Sequence, residues 1–570
     1  MKSKLDFKIT HFIKNERVHI FIILAIALSL RLYDFRQGEV LVSSDEVYLF
    51  QNSLKPLTFL LNYSFSNYSA ELFRFFNFNW GWVTLSFSTV FSFILTLAGI
   101  PFTEQTINFP YVLLGTATIY LVYLLGVEFR NVRTGLIAAL IFAVYPVHVS
   151  TSRSIGLIGI VAAFFFLLTI YLFIRYFKEN KYKNTAFFSL GIYFAADFQF
   201  YGLLPILVIL GFVIGGKKTV FLNFLFVVKK LFSKSAFFFF VPTAPIFLSA
   251  LYLYSKNFAH NSYLVHIFQK SSYFGLFFFE TLYDFYANAG PALFILFAAA
   301  AIYSIAKLFS KNADKNNFAL LLWLIINLIP WIFIVNRNDT VVYEYVMHPT
   351  SALIFLSALF IDELFNFLKS NFLKFIILIS VLIPTLIFTF WVVFFVSPLS
   401  VDPSVPDDFI LSHQDVVVPI FNTTAHIHFG VKGRNTGIKS AGFYLRELSD
   451  KNRTIFSDHE SFVTQYYTGI EALGNLDTFK DEQIISDFLK LVKYGEIDYV
   501  YFEKNHHYLW ADILNQKGFS PEVLITDKSK LLGVLYSKNN LKPVSFEVRT
   551  VDKLFDKKYG NLQSLFVDYS

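Results

Sequence analysis

Long apolar stretches recur along the first 400 residues, separated by short segments rich in Lys, Arg and Asn. Most are roughly 17 to 25 residues long, enough for an α-helix to cross a hydrocarbon core of about 30 Å. The pattern predicts eleven membrane-spanning helices, near residues 18–33, 109–128, 135–149, 155–175, 185–198, 200–216, 236–254, 288–307, 318–335, 346–366 and 373–396. A further apolar run, residues 82–100, is also long enough to span.

The distribution of positive charge decides how the run at 82–100 is interpreted. If this run lies on the outer surface or re-enters it, the short basic segments at 130–133, 175–183 and 306–315 all become cytoplasmic. That is the arrangement the positive-inside rule requires, and a spanning 82–100 would invert it. We therefore predict a cytoplasmic N-terminus and two large outer loops, 34–108 and 255–287.

The pattern changes near residue 397. Beyond it, amphipathic segments of helical period alternate with short apolar segments typical of strands. Such alternation favours an α/β domain. The predicted fold is a mainly α, polytopic membrane protein, with residues 1–397 as the membrane domain and 398–570 as an extracytoplasmic α/β domain.

Composition supports a membrane protein and excludes several functions. Of the 570 residues, 55% are hydrophobic and 73 are Phe, which is unlike an ordinary soluble protein. The chain has no Cys, so it has no disulfide, thiolate metal site or cysteine nucleophile. Its net charge of +7 lies mostly in short clusters between apolar runs. We therefore predict membrane lipids, and no nucleic acid, as partners.

Two adjacent carboxylates, Asp45 and Glu46, follow the first apolar run, which itself ends in Arg31. A carboxylate at a membrane surface can deprotonate a hydroxyl or bind a divalent cation, and an Arg can neutralise a phosphate. The alternative is that the two acids cap a surface helix while Arg31 extends to lipid headgroups.

A second motif lies between residues 107 and 156. It is a predicted helix pair with a basic turn, and its other end carries Tyr145-Pro146 followed by Ser152-Arg153. Together the two motifs resemble the GT-C glycosyltransferases of the protein O-mannosyltransferase and aminoarabinose-transferase type. The resemblance covers roughly 20–210 and, more loosely, 317–365. The matching residues of the first motif are Arg31-Leu32, Asp45-Glu46 and Tyr48.

The resemblance implies an inverting glycosyltransferase of the cell membrane. Its donor would be a sugar on a polyprenyl phosphate, and its acceptor a hydroxyl of a protein, glycan or lipid on the outer face. Asp45 would be the base, assisted by Glu46. No cofactor is assigned, and a divalent cation, Mg²⁺ or Mn²⁺, at Asp45 is left open. The other implied residues are Arg31, Arg153 and Arg337 for the donor phosphate, and Tyr48, Gln199, Tyr345 and His348 for the substrates.

Three departures from the family pattern leave other functions open. Gln199 stands where relatives often have Lys, Glu344-Tyr345 stands where they often have Arg-Tyr, and no acid follows Ser152-Arg153 closely. An inactive GT-C-like scaffold is therefore an alternative. The eleven predicted helices also permit a lipid or solute transporter, although the nearly charge-free apolar runs disfavour transport. For Arg153 the alternative is a helix-end anchor, and for His348 an interfacial residue.

Overall fold

A computed structural model describes much of the chain. The described residues are 16–33, 50, 53, 56–57, 59–67, 82–100, 104–153, 159–196, 205, 207–209, 211, 235, 237–244, 277–310, 315–335, 347–390, 415–418, 423–426, 438–447, 453–457, 461–472, 497–503, 514–527, 530–538 and 547–550.

Most of the described chain is helical, which confirms the mainly α fold class. The helices up to residue 390 are α1 (Glu16–Leu32), α2 (Trp82–Leu97), α3 (Glu104–Phe129), α4 (Val132–Val144), α5 (Pro146–Thr151), α6 (Gly159–Glu179), α7 (Lys183–Ala196), α8 (Phe277–Leu308), α9 (Lys315–Val335), α10 (Met347–Phe367) and α11 (Asn371–Phe390). Among the described residues, five helical segments are long and apolar enough to cross a membrane: Thr106–Phe129, Gly159–Glu179, Asn288–Leu308, Met347–Phe367 and Asn371–Phe390.

Strands occur only after residue 414 in the described part of the chain. The elements there are β1 (Asp415–Val418), β2 (Thr423–His426), α12 (Ile438–Glu447), β3 (Thr454–Ser457), α13 (Ser461–Thr468), β4 (Glu471–Ala472), β5 (Tyr499–Glu503), β6 (Phe519–Asp527), β7 (Lys530–Lys538) and β8 (Glu547–Thr550). Strands β1 and β2 form an antiparallel pair, and the other six form a mixed sheet in the order β4-β3-β5-β7-β6-β8. Helices and strands alternate in this region as predicted, and the domain boundary at 397/398 stays a prediction.

The predicted helix 135–149 is wrong as one continuous element, because the chain breaks at Tyr145. This residue is extended, with φ −67° and ψ 120°, and Pro146 opens α5 at its first position. A residue before Pro is disfavoured in the helical region, whereas Pro itself fits the start of a helix. The break turns the chain so that α5 crosses the end of α4.

The predicted spanning helix near 288–307 is confirmed, because an apolar segment long enough to span runs over Asn288–Leu308. Helix α8 begins at Phe277, inside the segment assigned to the outer loop 255–287. Gly290, with φ +76°, kinks the helix just before Pro291, and the ring of Phe388 fills the space where a Cβ would lie. The residues from Phe277 therefore form a helical stretch that a non-helical residue, Gly290, divides from most of the spanning segment.

One end of the helix bundle is fixed by a cluster of charges, and we call it the Asp362 end. The carboxylate of Asp362, at the end of α10, is fully buried and pairs with Arg130 at 3.1 Å and with Arg133. The neighbouring Glu363 pairs with Arg130 at 2.7 Å and with Lys307 of α8. The short turn between α3 and α4 is thereby bound to α8 and α10.

The predicted cytoplasmic segments lie together at this Asp362 end. Glu128 of α3 pairs with Arg175 at 3.1 Å and Lys178 at 2.6 Å, both near the end of α6. The side-chain amide of Asn316, at the start of α9, donates to the carbonyl of Phe129. Basic segments that the positive-inside rule assigns to one side are therefore adjacent in the fold.

Helices α1 and α3 support the interpretation of residues 82–100. Helix α1 ends, and α3 begins, at the end of the bundle opposite Asp362, where Arg31 contacts α4 and Gly115 faces Arg31. The chain between the two helices thus leaves and returns on the same side. Helix α2, which packs against α3 and α7, is consistent with a segment that makes no net crossing.

Removing the Asp362 carboxylate should destabilise the bundle. Asp362→Ala removes the buried carboxylate that Arg130 and Arg133 share and leaves Arg130 only its pair with Glu363 among the described residues, so we expect the free energy of unfolding to fall by about 1.5 to 3 kcal/mol. Denaturant titration in mixed micelles measures the change. Glu179→Ala breaks a more exposed pair with Arg175 and should cost less than about 1 kcal/mol. Equal losses in the two variants would contradict the structural role of Asp362.

Candidate functional site

Arg31 joins three helices at the end of the bundle opposite Asp362, which we call the Arg31 end. The side chain is fully buried. Its Nη1 donates to the carbonyl of Ala27 in α1 at 2.8 Å and to that of Ala143 in α4 at 3.4 Å, while Nη2 donates to His148 Nδ1 in α5. Ala143 lies in the last turn of α4, where backbone carbonyls lack helical partners and a cation is favourable, and Ala27 lies one turn before Arg31 in α1.

His148 is the second member of this contact and is also fully buried. Because a guanidinium can only donate, the ring accepts at Nδ1 and is therefore a neutral imidazole. Its ring packs against Phe142, with 4.3 Å between the ring centroids. The break at Tyr145-Pro146 is what turns His148 back toward the last turn of α4 and the end of α1.

The Ser152-Arg153 motif follows directly from His148. The backbone N–H of Ser152 donates to the carbonyl of His148 at 3.2 Å, and its hydroxyl donates to the same carbonyl. The N–H of Arg153 donates to the carbonyl of Ser150 at 3.0 Å. Arg153 is partly exposed, and its guanidinium is close enough to that of Arg31 for the two positive charges to repel.

Gly115 of α3 allows these groups to meet. A Cβ at this position would lie 2.3 Å from the Cβ of Ser152 and 3.2 Å from Nε of Arg31. The contact with Ser152 is shorter than a non-bonded carbon contact allows, and the one with Arg31 is tight, so glycine lets α3 approach this closely. The first-helix arginine and the Ser-Arg motif, far apart in sequence, thus lie against one glycine of a third helix.

The start of α10 packs against the other side of α5. The hydroxyl of Thr151 donates to the sulfur of Met347 at 3.6 Å, and the hydroxyls of Tyr145 and Thr350 are 3.4 Å apart. His348 is buried, with its Nε2 3.0 Å from the hydroxyl of Tyr193. The side chain of His348 is therefore part of the packed protein interior at the Arg31 end.

Three of the predicted site residues are described by the structure. Arg31 and Arg153 come together, and His348 lies at the same end of the bundle on the far side of α5. The remaining predicted residues lie outside the described residues: Asp45, Glu46, Tyr48, Gln199, Arg337 and Tyr345. Within the described ranges no group of three or more His, Asp or Glu side chains could hold a metal ion.

Sequence reasoning missed two residues of this site, His148 and Gly115. His148 stands between Tyr145-Pro146 and Ser152-Arg153, so its place in the motif was a signal that could have been used. Gly115 lies within an apolar helix and gave no signal, because its role depends on which side chains approach it from two other helices.

A family model, described as dolichyl-phosphate-mannose-protein mannosyltransferase, matches residues 85–247. The matched range contains Gly115, His148 and Ser152-Arg153 but neither Arg31 nor the acidic pair. No curated protein sequence matches the chain.

Two solved proteins have a similar architecture. ArnT from Cupriavidus metallidurans bound to undecaprenyl phosphate matches with a TM-score of 0.54 at 12% identity, over 92% of this chain and 98% of that one. The apo oligosaccharyltransferase from Archaeoglobus fulgidus matches with a TM-score of 0.51 at 14% identity, over 93% of this chain and 75% of that one. Both belong to the GT-C superfamily of membrane glycosyltransferases.

The chain has the GT-C fold. Identities this low establish a shared fold, so the reaction has to be argued from the site. A complex of the same oligosaccharyltransferase with Zn and sulfate also matches, with a TM-score of 0.51 at 16% identity, over 87% of this chain and 69% of that one.

A side chain at position 115 should disturb this turn. Gly115→Ala places a methyl group on Ser152, so we expect a loss of about 1 to 3 kcal/mol in the free energy of unfolding, measured by denaturant titration. Because the nearest atom is the Cβ of Ser152, adding Ser152→Gly should restore most of the loss. Ala117→Leu, which adds apolar bulk on the exposed face of the same helix, is the control. If Ser152→Gly gives no rescue, the close contact is not the cause.

Proposed function

We propose that this GT-C chain is an inverting glycosyltransferase that moves a sugar from a polyprenyl phosphate to an acceptor hydroxyl on the outer face of the cell membrane. The observation that carries the proposal is the convergence of Arg31 and Ser152-Arg153 at one end of the bundle. Helix α1 ends there, so the segment with Asp45 and Glu46 starts beside two guanidinium groups. An acid and cations near one another suit the transfer of a phosphate-linked sugar.

The reaction is a single displacement at the anomeric carbon. Asp45 accepts the proton of the acceptor hydroxyl as the oxygen attacks, a new C–O bond forms, and the bond from the sugar to the phosphate oxygen breaks. The polyprenyl phosphate leaves with the electron pair, and the sugar is inverted because attack comes from the side opposite the leaving group. Glu46 orients an arginine or the acceptor.

Arg153 is the proposed contact to the donor phosphate. It is partly exposed, its backbone is held by the carbonyl of Ser150, and its planar guanidinium can donate two parallel hydrogen bonds to phosphate oxygens. Negative charge grows on the leaving phosphate, so a fixed cation stabilises the transition state more than the ground state. Arg31 supplies a second positive charge, more deeply buried than that of Arg153. Arg337 is proposed as a further residue that binds the donor phosphate.

The substrate-binding residues are proposed from sequence position. Tyr48 and Tyr345 would contact the sugar or the acceptor, and Gln199 would take the place of a family lysine. His348, buried against Tyr193, would form the wall of the substrate site rather than reach far into it. The proposed acceptor is a protein, a glycan or a lipid, and a divalent cation at Asp45 is retained as part of the proposal.

The structural neighbours support a lipid-phosphate donor. One of them, ArnT from Cupriavidus metallidurans, has a structure bound to undecaprenyl phosphate and matches this chain over most of both proteins. The convergence of guanidinium groups at one end of a membrane bundle is the arrangement expected for an anionic headgroup whose tail stays in the bilayer.

Loss of the Asp45 carboxylate should abolish turnover. The protein in nanodiscs would be assayed for release of polyprenyl phosphate from a panel of polyprenyl-phosphate sugars. Asp45→Asn removes the base while keeping its size, so we expect turnover to fall at least about 100-fold. Asp34→Asn, from the same segment, should turn over like the wild type. Equal turnover in Asp45→Asn would contradict its role, and absence of turnover with every donor and acceptor would favour a scaffold.

Loss of the Arg153 guanidinium should weaken donor use. Because the charge acts mainly on the leaving phosphate, Arg153→Ala should lower kcat/KM for the donor by about 100-fold, and Arg153→Lys by less. The same donor assay measures both. Lys178→Ala, an exposed cation at the Asp362 end, should have no effect. An unchanged kcat/KM in Arg153→Ala would place the phosphate elsewhere.

A further inference from the structure

We propose that Arg31 and His148 act as one positioning unit that sets the place of Arg153, and that Arg31 serves the donor phosphate through Arg153. The inference rests on the proposed function and assigns a role to His148, which sequence reasoning left without one. The side chain of Arg31 is buried and hydrogen-bonded within the protein. Its partner His148 is hydrogen-bonded to Ser152, and Arg153 is the next residue after Ser152.

The guanidinium of Arg31 is engaged by the protein on both of its terminal nitrogens. Nη1 is bound to the carbonyls of Ala27 and Ala143, and Nη2 to the ring of His148. An arginine can bind a phosphate through its two terminal nitrogens or through Nε and one of them. In Arg31 the terminal nitrogens bind α1, α4 and α5, Nε has no hydrogen-bond partner among the described residues and lies against Gly115 of α3, and the side chain is fully buried. A phosphate that reached either pair of nitrogens would have to displace α3, α4 or α5.

His148 links Arg31 to the Ser152-Arg153 turn through hydrogen bonds. Its ring is held by Arg31, and its backbone carbonyl accepts two hydrogen bonds from Ser152, one from the N–H at 3.2 Å and one from the hydroxyl. Arg153 is the next residue, and its own N–H is held by Ser150 at 3.0 Å. The segment from 148 to 153 is thus one compact turn whose anchor is the ring of His148.

The chemistry of the contact makes His148 replaceable by only a few side chains. The residue must present an acceptor to a guanidinium in a fully buried place, and a neutral imidazole Nδ1 does so. Asn can place its side-chain oxygen close to the position of Nδ1. Leu has a comparable volume and no acceptor. His148→Asn and His148→Leu therefore separate the hydrogen bond from the packing of the site.

The first experiment reports the position of residue 153 without any ligand. The chain has no Cys, so Arg153→Cys creates a unique site for a nitroxide label. The electron paramagnetic resonance spectrum should show a restricted label in this background, a clearly more mobile label after His148→Leu, and a restricted label again after His148→Asn. Ala117→Leu serves as the control and should leave the label restricted. Equal mobility in the His148→Leu and His148→Asn variants would overturn the positioning role.

The second experiment tests whether Arg31 acts through Arg153. Binding of undecaprenyl phosphate in nanodiscs would be measured for Arg31→Met, His148→Leu and Arg153→Ala, singly and combined. Each single variant should raise Kd by about tenfold, and neither Arg31→Met nor His148→Leu should raise it further in the Arg153→Ala background. A further rise of about tenfold for Arg31→Met in that background would mean that Arg31 binds the phosphate directly, and would overturn the inference.

The two experiments distinguish failure of the inference from failure of the proposed function. If the wild type binds no undecaprenyl phosphate while the label responds as expected, the proposed donor is wrong and the positioning unit stands. If binding depends on Arg153 but the label and the combined variants show no link to His148, the function stands and the inference fails. If Arg31→Met does not fold, His148→Leu tests the same hydrogen bond by removing its acceptor instead of its donor.

Discussion

The buried guanidinium of Arg31 is the contact on which the Arg31 end of the molecule depends. Three helices end or turn within reach of it, and it donates to a group on each: the carbonyl of Ala27, the carbonyl of Ala143 in the last turn of α4, and the ring nitrogen of His148. Inside a bilayer no water is available to satisfy such groups, so leaving them unpaired would be costly. One arginine satisfies all three, and the break at Tyr145-Pro146 and the absence of a side chain at Gly115 bring its partners together.

The opposite end is held by a different interaction, the carboxylates of Asp362 and Glu363 with the basic turn between α3 and α4. The two ends are about 20 Å apart along α10, at roughly 1.5 Å per residue, which is most of the thickness of a hydrocarbon core. Charge is therefore concentrated at the two ends of the bundle, and the described helices between them are largely apolar. This distribution suits chemistry at one surface better than passage of a solute across the membrane.

Much of this could be predicted from the sequence, for physical reasons that differ between elements. Apolar length located most helices, and the side preference of Lys and Arg predicted which connections lie together, as the contacts of Glu128 and Asn316 confirm. The bend before Pro146 was not predicted because hydropathy continues across it. The span at Asn288–Leu308 was predicted, but the helical stretch from Phe277 that precedes it was assigned to an outer loop. Arg31 and Arg153 were identified from motif order. Their contact through His148 and Gly115 depends on how three helices pack against one another, and this packing cannot be predicted from the local sequence of any one helix.

A structure of the protein in nanodiscs with bound undecaprenyl phosphate, determined by cryo-electron microscopy, tests the central claim most directly. We expect the phosphate at hydrogen-bonding distance from the guanidinium of Arg153. The hydrogen bonds from Arg31 to Ala143 and His148 should be intact, and the segment that contains Asp45 should face the same space. A phosphate bound at another part of the bundle, or one that has drawn Arg31 away from His148, would contradict it.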